Sequence, residues 1–188
     1  MGETAGQSLA FIAVGSNIEP QKNIAVALVA LAEEANVISS STFYRTEPIG
    51  RSEQPPFING VWQVGTTVQP ERIRSDLLCP IEEMLGRQRT ADKFAPRTID
   101  LDLVLYDDLV RNDADLKLPH PDIVRPFVHG PIRELLERDS SDGDAGLKSR
   151  IARLLPGDIP HIQPGQALAE FTRRLISLLD QSARRRAT

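Results

Sequence analysis

The chain has 188 residues, 40% of them hydrophobic and 26% charged, a balance that suits one soluble domain with a real core, or such a domain carrying a tail. A formal net charge of −4 gives no overall attraction for nucleic acid or an anionic membrane, so an anionic ligand must be met by a local basic cluster. The single cysteine, Cys79, excludes an internal disulfide, reads as a buried structural thiol and fits a reducing, cytoplasmic setting.

Met1 to Ser8 lacks the basic and apolar regions of a signal peptide, and no apolar run approaches the roughly 20 residues that span a bilayer. Leu9 to Val14 is a short, continuous apolar run that reads as a buried strand. Gly15-Ser16-Asn17 reads as a tight turn and helix cap before Pro20. Ile24, Leu28, Leu31 and Ala35 then recur at helical spacing. Val37 to Arg45 is rich in β-branched and aromatic residues and predicts a second strand, and Thr46 to Pro56, with three prolines and a glycine, a loop. Phe57 to Val68 predicts a third strand with Phe57, Asn59 and Val61 on one side. Pro70 opens a second helix with Ile73, Leu77, Ile81 and Met84 on one stripe, a kink at Pro80 and Gly86 at its end.

Gly86 to Pro96 reads as a basic loop, Thr98 to Tyr106 as a fourth strand and Asp107 to Asp115 as a polar turn region. Leu118 to Pro126 is a proline-rich connection, Pro131 to Glu137 a short third helix, and Asp139 to Gly146 a loop or linker. Leu168, Phe171, Leu175 and Leu178 mark a C-terminal amphipathic helix ending in a frayed basic tail, Arg184 to Arg186. Strand, helix, strand, strand, helix, strand is the α+β, ferredoxin-like βαββαβ pattern, with helices on one face of an antiparallel sheet. Residues 1–138 form the expected domain core, and 139–188 a linker and helical extension packed on or near it.

The sharpest local feature is Pro96-Arg97-Thr98-Ile99-Asp100-Leu101-Asp102. On a strand Asp100 and Asp102 share a face, about 6–7 Å apart at their Cα atoms, while Ile99, Leu101 and Leu103 enter the core. Two adjacent carboxylates repel each other, and packing explains them poorly. A magnesium ion, or two, would relieve the repulsion, because this hard cation takes oxygen ligands and is completed by water and substrate phosphates. Alone, such a pair is more often a solvent-facing sheet edge. Arg87, Arg89, Lys93 and Arg97 precede it, however, and His120 and Arg125 follow it, so cations able to neutralise polyphosphate surround it in sequence. There is neither a Walker A sequence nor a G-x-G-x-x-G, which disfavours a P-loop or protein-kinase architecture. Phe57 could stack on a flat ring and Asn59 could pair with a heterocycle edge, although Phe57 taken alone suits the core.

These stretches together resemble the 6-hydroxymethyl-7,8-dihydropterin pyrophosphokinases. The resemblance runs from Leu9 to Leu136, through Gly15-Ser16-Asn17, Tyr44-Arg45-Thr46 with Pro48 and Gly50, Gln54 with Phe57 and Asn59, and Gly86-Arg87-x-Arg89. It continues through the Asp100/Asp102 segment, Leu118-Pro119-His120-Pro121, and Arg125 with Phe127-Val128. It implies transfer of pyrophosphate from ATP to the pterin's hydroxymethyl oxygen, with release of AMP, in folate biosynthesis. It also implies two magnesium ions on Asp100 and Asp102, and a pterin pocket of Thr46, Pro48, Ile49, Phe57, Asn59 and Phe127. Arg87, Arg97, His120 and Arg125 would meet the ATP phosphates, with Arg89 on a mobile loop near them and Glu82 near the nucleotide. Leu103 and the backbone of Leu116, Lys117 and Leu118 would flank adenine. Arg87 and Arg97 would join the two aspartates as catalytic residues. Partners would be these small molecules alone, without nucleic acid or membrane, and a monomer is favoured with a dimer left open.

The sequence departs from the family's habits at Cys79 and Pro80, at Thr90, at Phe94 in place of a frequent tryptophan, at His129-Gly130, and in a one-residue-shorter His120–Arg125 spacing. Rival readings are another magnesium-dependent nucleotidyl or phosphoryl transferase using the same aspartates, and a non-catalytic ferredoxin-like binding module. The two aspartates and the negative net charge disfavour an RNA-binding form of the latter.

Overall fold

The computed structural model describes residues 7–50, 53–88, 92, 94–138, 145–157 and 165–186. Arg89, Thr90 and Lys93 of the basic loop lie outside these residues, as do 139–144 of the expected linker. The apolar run near the N-terminus forms β1 (Ser8–Ser16), which lies in the middle of the sheet. It pairs antiparallel with β4 (Phe57–Thr66) on one side and β5 (Asp100–Tyr106) on the other. Beyond β4 lie β2 (Asn36–Ser40) and β3 (Tyr44–Thr46), and a two-residue strand, β8 (Gln166–Ala167), pairs with β3. The protein is therefore α+β with a mixed helical and antiparallel architecture. A separate two-stranded ribbon pairs β6 (Arg111–Asn112), inside the expected polar turn region, with β7 (Lys117–Leu118), which lies beyond its end at Asp115.

Helices cover both faces of the sheet, which corrects the expectation of one covered face. On the first face Ile12, Val14, Trp62, Leu101 and Leu103 pack against α1 (Pro20–Glu34), the second helical segment and α6 (Ala169–Arg186). On the second, Leu9, Phe11, Val61 and Val104 pack against α4 (Pro126–Arg138) and α5 (Ala145–Leu154). The unbroken run Leu9 to Val14 has this physical cause, since a strand apolar at consecutive positions needs cover above and below. A register shift between Phe11 and Ile12 turns Leu105 to the second face beside Val104.

Several elements differ from the sequence reading. The second strand is broken into β2 and β3 at 41–43. There the Glu134 carboxylate of α4 accepts from the Thr42 amide (2.9 Å) and hydroxyl (2.7 Å), while Phe43 is fully buried. The second helix runs as α2 (Pro70–Ile73), a π-turn (Arg74–Leu78) and α3 (Cys79–Met84), with Pro80 in the first turn of α3. A proline cannot donate to the carbonyl four residues back and its ring crowds that turn, so the chain widens by one residue there. The widening shifts the phase. Leu78, Ile81 and Glu82 face inward, and Met84, expected on the buried stripe, is 59% exposed. Ser16 and Asn17 do not cap α1; Glu19, in the left-handed region at φ 40°, precedes Pro20. Helix α4 begins at Pro126 rather than Pro131, and α5, beginning at Ala145, had no forecast.

The C-terminal segment is built into the core. Leu168 N–H donates to Phe43 O at 2.8 Å, and the Thr172 hydroxyl accepts from Phe43 N–H at 2.9 Å. The Phe171 ring meets Phe43 edge-on at 5.7 Å. Arg184 to Arg186, expected to fray, remain helical, and Arg186 donates to Ala35 O at 3.0 Å. That contact places a cation at the C-terminus of α1, the favourable end for positive charge. Among the described residues no helix is long and apolar enough to cross a membrane.

Phe171→Ala removes a buried ring from the first cluster and should lower unfolding free energy by about 3–5 kcal/mol, measured by urea denaturation. A loss below about 1 kcal/mol would show that α6 is peripheral to the core.

Candidate active site

Helix α4 covers only part of the second sheet face, and the remainder is the floor of a cavity of about 440 Å³. The floor is low because the central strand carries small residues there: Ala13 and Gly15 stand opposite Asp102 and Asp100 on β5 and opposite Val61 and Asn59 on β4. Asn59, Gly15 and Asp100 therefore form one row across three strands. The Asn59 amide lies over the glycine, and a Cβ at position 15 would come within 2.7 Å of Asn59 Oδ1. Asn59 Nδ2 donates to Thr46 Oγ1 at 2.7 Å, which fixes the side chain. Around this floor stand Thr46 at the end of β3, Glu47 and Ile49 from the loop after it, Phe57 at the start of β4, and Phe127 from α4.

The other wall is charged. Asp100 and Asp102 point into the cavity from β5, as the two-residue period requires. Each carboxylate has a cationic partner. Arg97 pairs with Asp100 Oδ2, Arg87 Nη1 lies 2.5 Å from Asp100 Oδ1, and the more exposed Arg74 reaches Asp102 at 3.5 Å. Burial, and then the charge of Arg87, lower the pKa of the Arg97 guanidinium, while Asp102, Glu82 and Asp122 act in the opposite direction. Arg125 lines the cavity opposite, bonded to Asp122 Oδ1 at 2.8 Å and placed 5.8 Å from the Phe127 ring centroid.

Asn17 joins the two walls. Its Oδ1 accepts from Arg97 N–H at 2.7 Å, and its own N–H donates to Arg97 O at 3.1 Å. Its side-chain amide donates to Gln54 Oε1 (3.2 Å) and Pro55 O (3.3 Å), and Gln54 in turn donates to Phe94 O. One buried asparagine thus ties the segment leading into β4 to the segment leading into β5.

The family model for 7,8-dihydro-6-hydroxymethylpterin-pyrophosphokinase matches residues 11–137, the stretch that contains both walls. The chain belongs to this family. It is 34% identical over 130 residues to the 2-amino-4-hydroxy-6-hydroxymethyldihydropteridine pyrophosphokinase of Haemophilus influenzae, covering 67% of this chain and 80% of that protein. It is 36% identical over 129 residues to the Pseudomonas aeruginosa protein of the same name, covering 66% of this chain and 78% of that one. The Schizosaccharomyces pombe folic acid synthesis protein fol1 is 33% identical over 161 residues, 75% of this chain, and the chain spans only 22% of its length.

The residues singled out by their likeness to pyrophosphokinases separate into groups. Thr46, Ile49, Phe57, Asn59, Arg97, Asp100, Asp102, Arg125 and Phe127 line this cavity together. Arg87 reaches it through Asp100. Pro48 is half-buried outside the cavity lining, and Arg89 lies outside the described residues. Leu103 and Leu118 are buried in the first core cluster, with Leu116 packed against it and Lys117 exposed. His120 Nδ1 accepts from Asp122 N–H at 3.2 Å and its backbone N–H donates to Val104 O at 3.0 Å, so it shapes the turn that presents Asp122 and Arg125. Glu82 is 2% exposed beneath the aspartate wall. Arg74 escaped the sequence reading because the π-turn that carries it has no simple periodic signature. The sequence presents Asn17 only as a helix cap, because its partners lie 37 to 80 residues away.

Gly15→Ala should turn Asn59 out of its bond to Thr46 and cost about 1–3 kcal/mol of stability by overpacking. The double variant Gly15→Ala/Asn59→Ala removes the clash, so a thermodynamic cycle by chemical denaturation should show the two losses to be non-additive. Additive losses would mean that the glycine is not there to make room for the amide.

Proposed function

We propose that this cavity is where the pyrophosphokinase reaction takes place: ATP transfers its terminal pyrophosphate to 6-hydroxymethyl-7,8-dihydropterin, giving the pterin diphosphate and AMP. The chain is an ATP-dependent diphosphokinase of folate biosynthesis. The observation that carries the assignment to this cavity is that one continuous space holds an amide-and-aromatic wall and a carboxylate-and-guanidinium wall. A flat, hydrogen-bonding heterocycle fits the first and a polyphosphate the second.

The heterocycle lies between the Phe57 and Phe127 rings, with its polar edge on the Asn59 amide and the Thr46 hydroxyl. Arg87, Arg97 and Arg125 take the phosphate oxygens, for which planar guanidinium groups are suited. His120 holds the turn behind Arg125, and the half-buried Pro48 stiffens the loop beside the pterin. The substrate hydroxymethyl oxygen bonds to the β-phosphorus, the bond from that phosphorus to the α-phosphate oxygen breaks, and AMP leaves with the electron pair. The hydroxyl proton passes to solvent or product, and no side chain is nominated as a dedicated base. In such a transfer, positioning and charge neutralisation supply most of the catalysis.

Among the described residues no three histidine, cysteine or carboxylate side chains gather to complete a metal shell. Two carboxylates whose present partners are cations still fit magnesium, which leaves its remaining positions to water and phosphate. Asp100 and Asp102 would hold it, as two ions, and it would supply shielding of the phosphates and a lowered pKa for the attacking hydroxyl. The sheet order, fourth strand, first, third, second, supports a ferredoxin-like core. Residues 1–138 are the catalytic core and 139–188 an extension on the same domain. The enzyme works in the cytoplasm on free small molecules, without nucleic acid, as a monomer in preference to a dimer.

Incubation with ATP, magnesium and the pterin alcohol should yield AMP; formation of ADP, or of inorganic pyrophosphate, would overturn the reaction assignment. Asp102→Ala is the cleaner test of the carboxylate wall, because it leaves only the exposed Arg74 without its partner. Turnover should fall by ~10²-fold or more with little change in melting temperature. Asn59→Ala should weaken pterin binding by about 1–3 kcal/mol in a calorimetric titration and leave ATP affinity nearly unchanged. Equal losses for both ligands would give Asn59 a folding role instead.

A further inference from the structure

Below the aspartate wall, Glu82 makes two contacts that converge on it. Its Oε1 accepts from the backbone N–H of Leu101, the residue between Asp100 and Asp102, at 2.9 Å. The same oxygen pairs with Arg87 Nη1, whose other carboxylate partner is Asp100. Among the described residues strand β5 lies at the end of the sheet and pairs with β1 alone, and the Leu101 amide takes its partner from outside the sheet. A carboxylate buried to this degree is costly unless it is paired and hydrogen-bonded, and both conditions are met here. The π-turn before Pro80 sets the phase of α3, and in that phase Ile81 and Glu82 are the residues turned inward.

We propose that Glu82 is a positioning residue for the phosphate-transfer wall, and not a nucleotide contact. It fixes the backbone between the two aspartates, and its charge shares the Arg87 guanidinium with Asp100. Arg87 thus stays in place when Asp100 turns to another cation. Without the Glu82 charge, Arg87 would depend on Asp100 alone and compete directly with any cation that Asp100 is to bind. This rests on the reading of the cavity as the pyrophosphokinase site.

Glu82→Gln keeps an oxygen for the Leu101 amide, removes the charge and turns the second oxygen into an amide donor. We expect kcat to fall about 10–100-fold, the usual effect of losing a residue that orients metal-binding groups. Pterin affinity should be nearly unchanged, because Glu82 does not line the cavity. Calorimetric binding of a non-hydrolysable ATP analogue across a magnesium series should need several-fold more magnesium for half-saturation, a readout independent of turnover. Glu82→Gln with wild-type kcat and an unchanged magnesium dependence would overturn the proposal, whatever its melting temperature. Arg87→Gln and the double variant complete a cycle that covers loss of folding. If Glu82 acts through Arg87, the double variant regains part of the stability lost in Glu82→Gln, and the kcat losses are non-additive; additive losses in both would also overturn it. The AMP assay on the wild-type protein separates the two failures: a wild type that makes no AMP sinks the functional reading and this inference with it, whereas an AMP-forming wild type whose kcat and magnesium dependence are unchanged by Glu82→Gln sinks the inference alone.

Discussion

Two aspartates side by side on one strand face set the electrostatic problem that the rest of the site answers. Their mutual repulsion is tolerated because guanidinium groups arrive from three directions: Arg97 from the segment entering β5, Arg87 from just beyond α3, and Arg74 from the π-turn. Each is held by something other than the aspartates. Asn17 fixes the Arg97 backbone, Glu82 fixes Arg87, and Arg74 is carried on the turn forced by Pro80. The wall is therefore balanced before any ligand arrives, and a polyphosphate with its metal can exchange partners with it rather than neutralise it from nothing.

The cavity depends on what the central strand leaves out. Both faces of β1 are buried along its first half, under α1 on one side and α4 on the other. Toward its end the second face narrows to Ala13 and Gly15, and α4 does not extend over them. A side chain at position 15 would enter the space now bordered by Asn59 and Asp100. Rigid strands beneath and loops above divide the work: β4 and β5 hold Asn59, Asp100 and Asp102 in register, while residues after β3 and before β5 close the sides. Sites built on strands are held more precisely than sites built on loops.

The C-terminal segment contributes to that rigidity from the opposite face. Phe43 is fully buried at the break between β2 and β3, where Phe171 and Trp62 enclose its ring and β8 pairs alongside. Gly60 makes room for the same ring, since a Cβ there would come within 2.7 Å of it. The start of β4, which carries Phe57 and Asn59 into the cavity, is thereby backed by α6.

Much of this was legible in the chain because it depends on short-range period. Alternation along β5 puts Asp100 and Asp102 on one face and Leu101 and Leu103 on the other whatever the rest of the protein does. The same holds for the helical spacing of Ile24, Leu28 and Leu31. Family likeness then assembled Thr46, Phe57, Asn59, Arg97, Arg125 and Phe127 into a site, and all of them line one cavity. Tertiary structure alone decided what spans long separations: Asn17 reaching Gln54 and Arg97, Glu82 reaching Leu101, and α4 reaching Thr42. It also decided the phase of α3, because a π-turn changes which residues face inward without changing the composition that a periodicity reads, so Met84 emerged and Glu82 was buried. Local period fixes where a side chain points relative to its own strand or helix; which partner waits there is settled only when elements distant in sequence pack together.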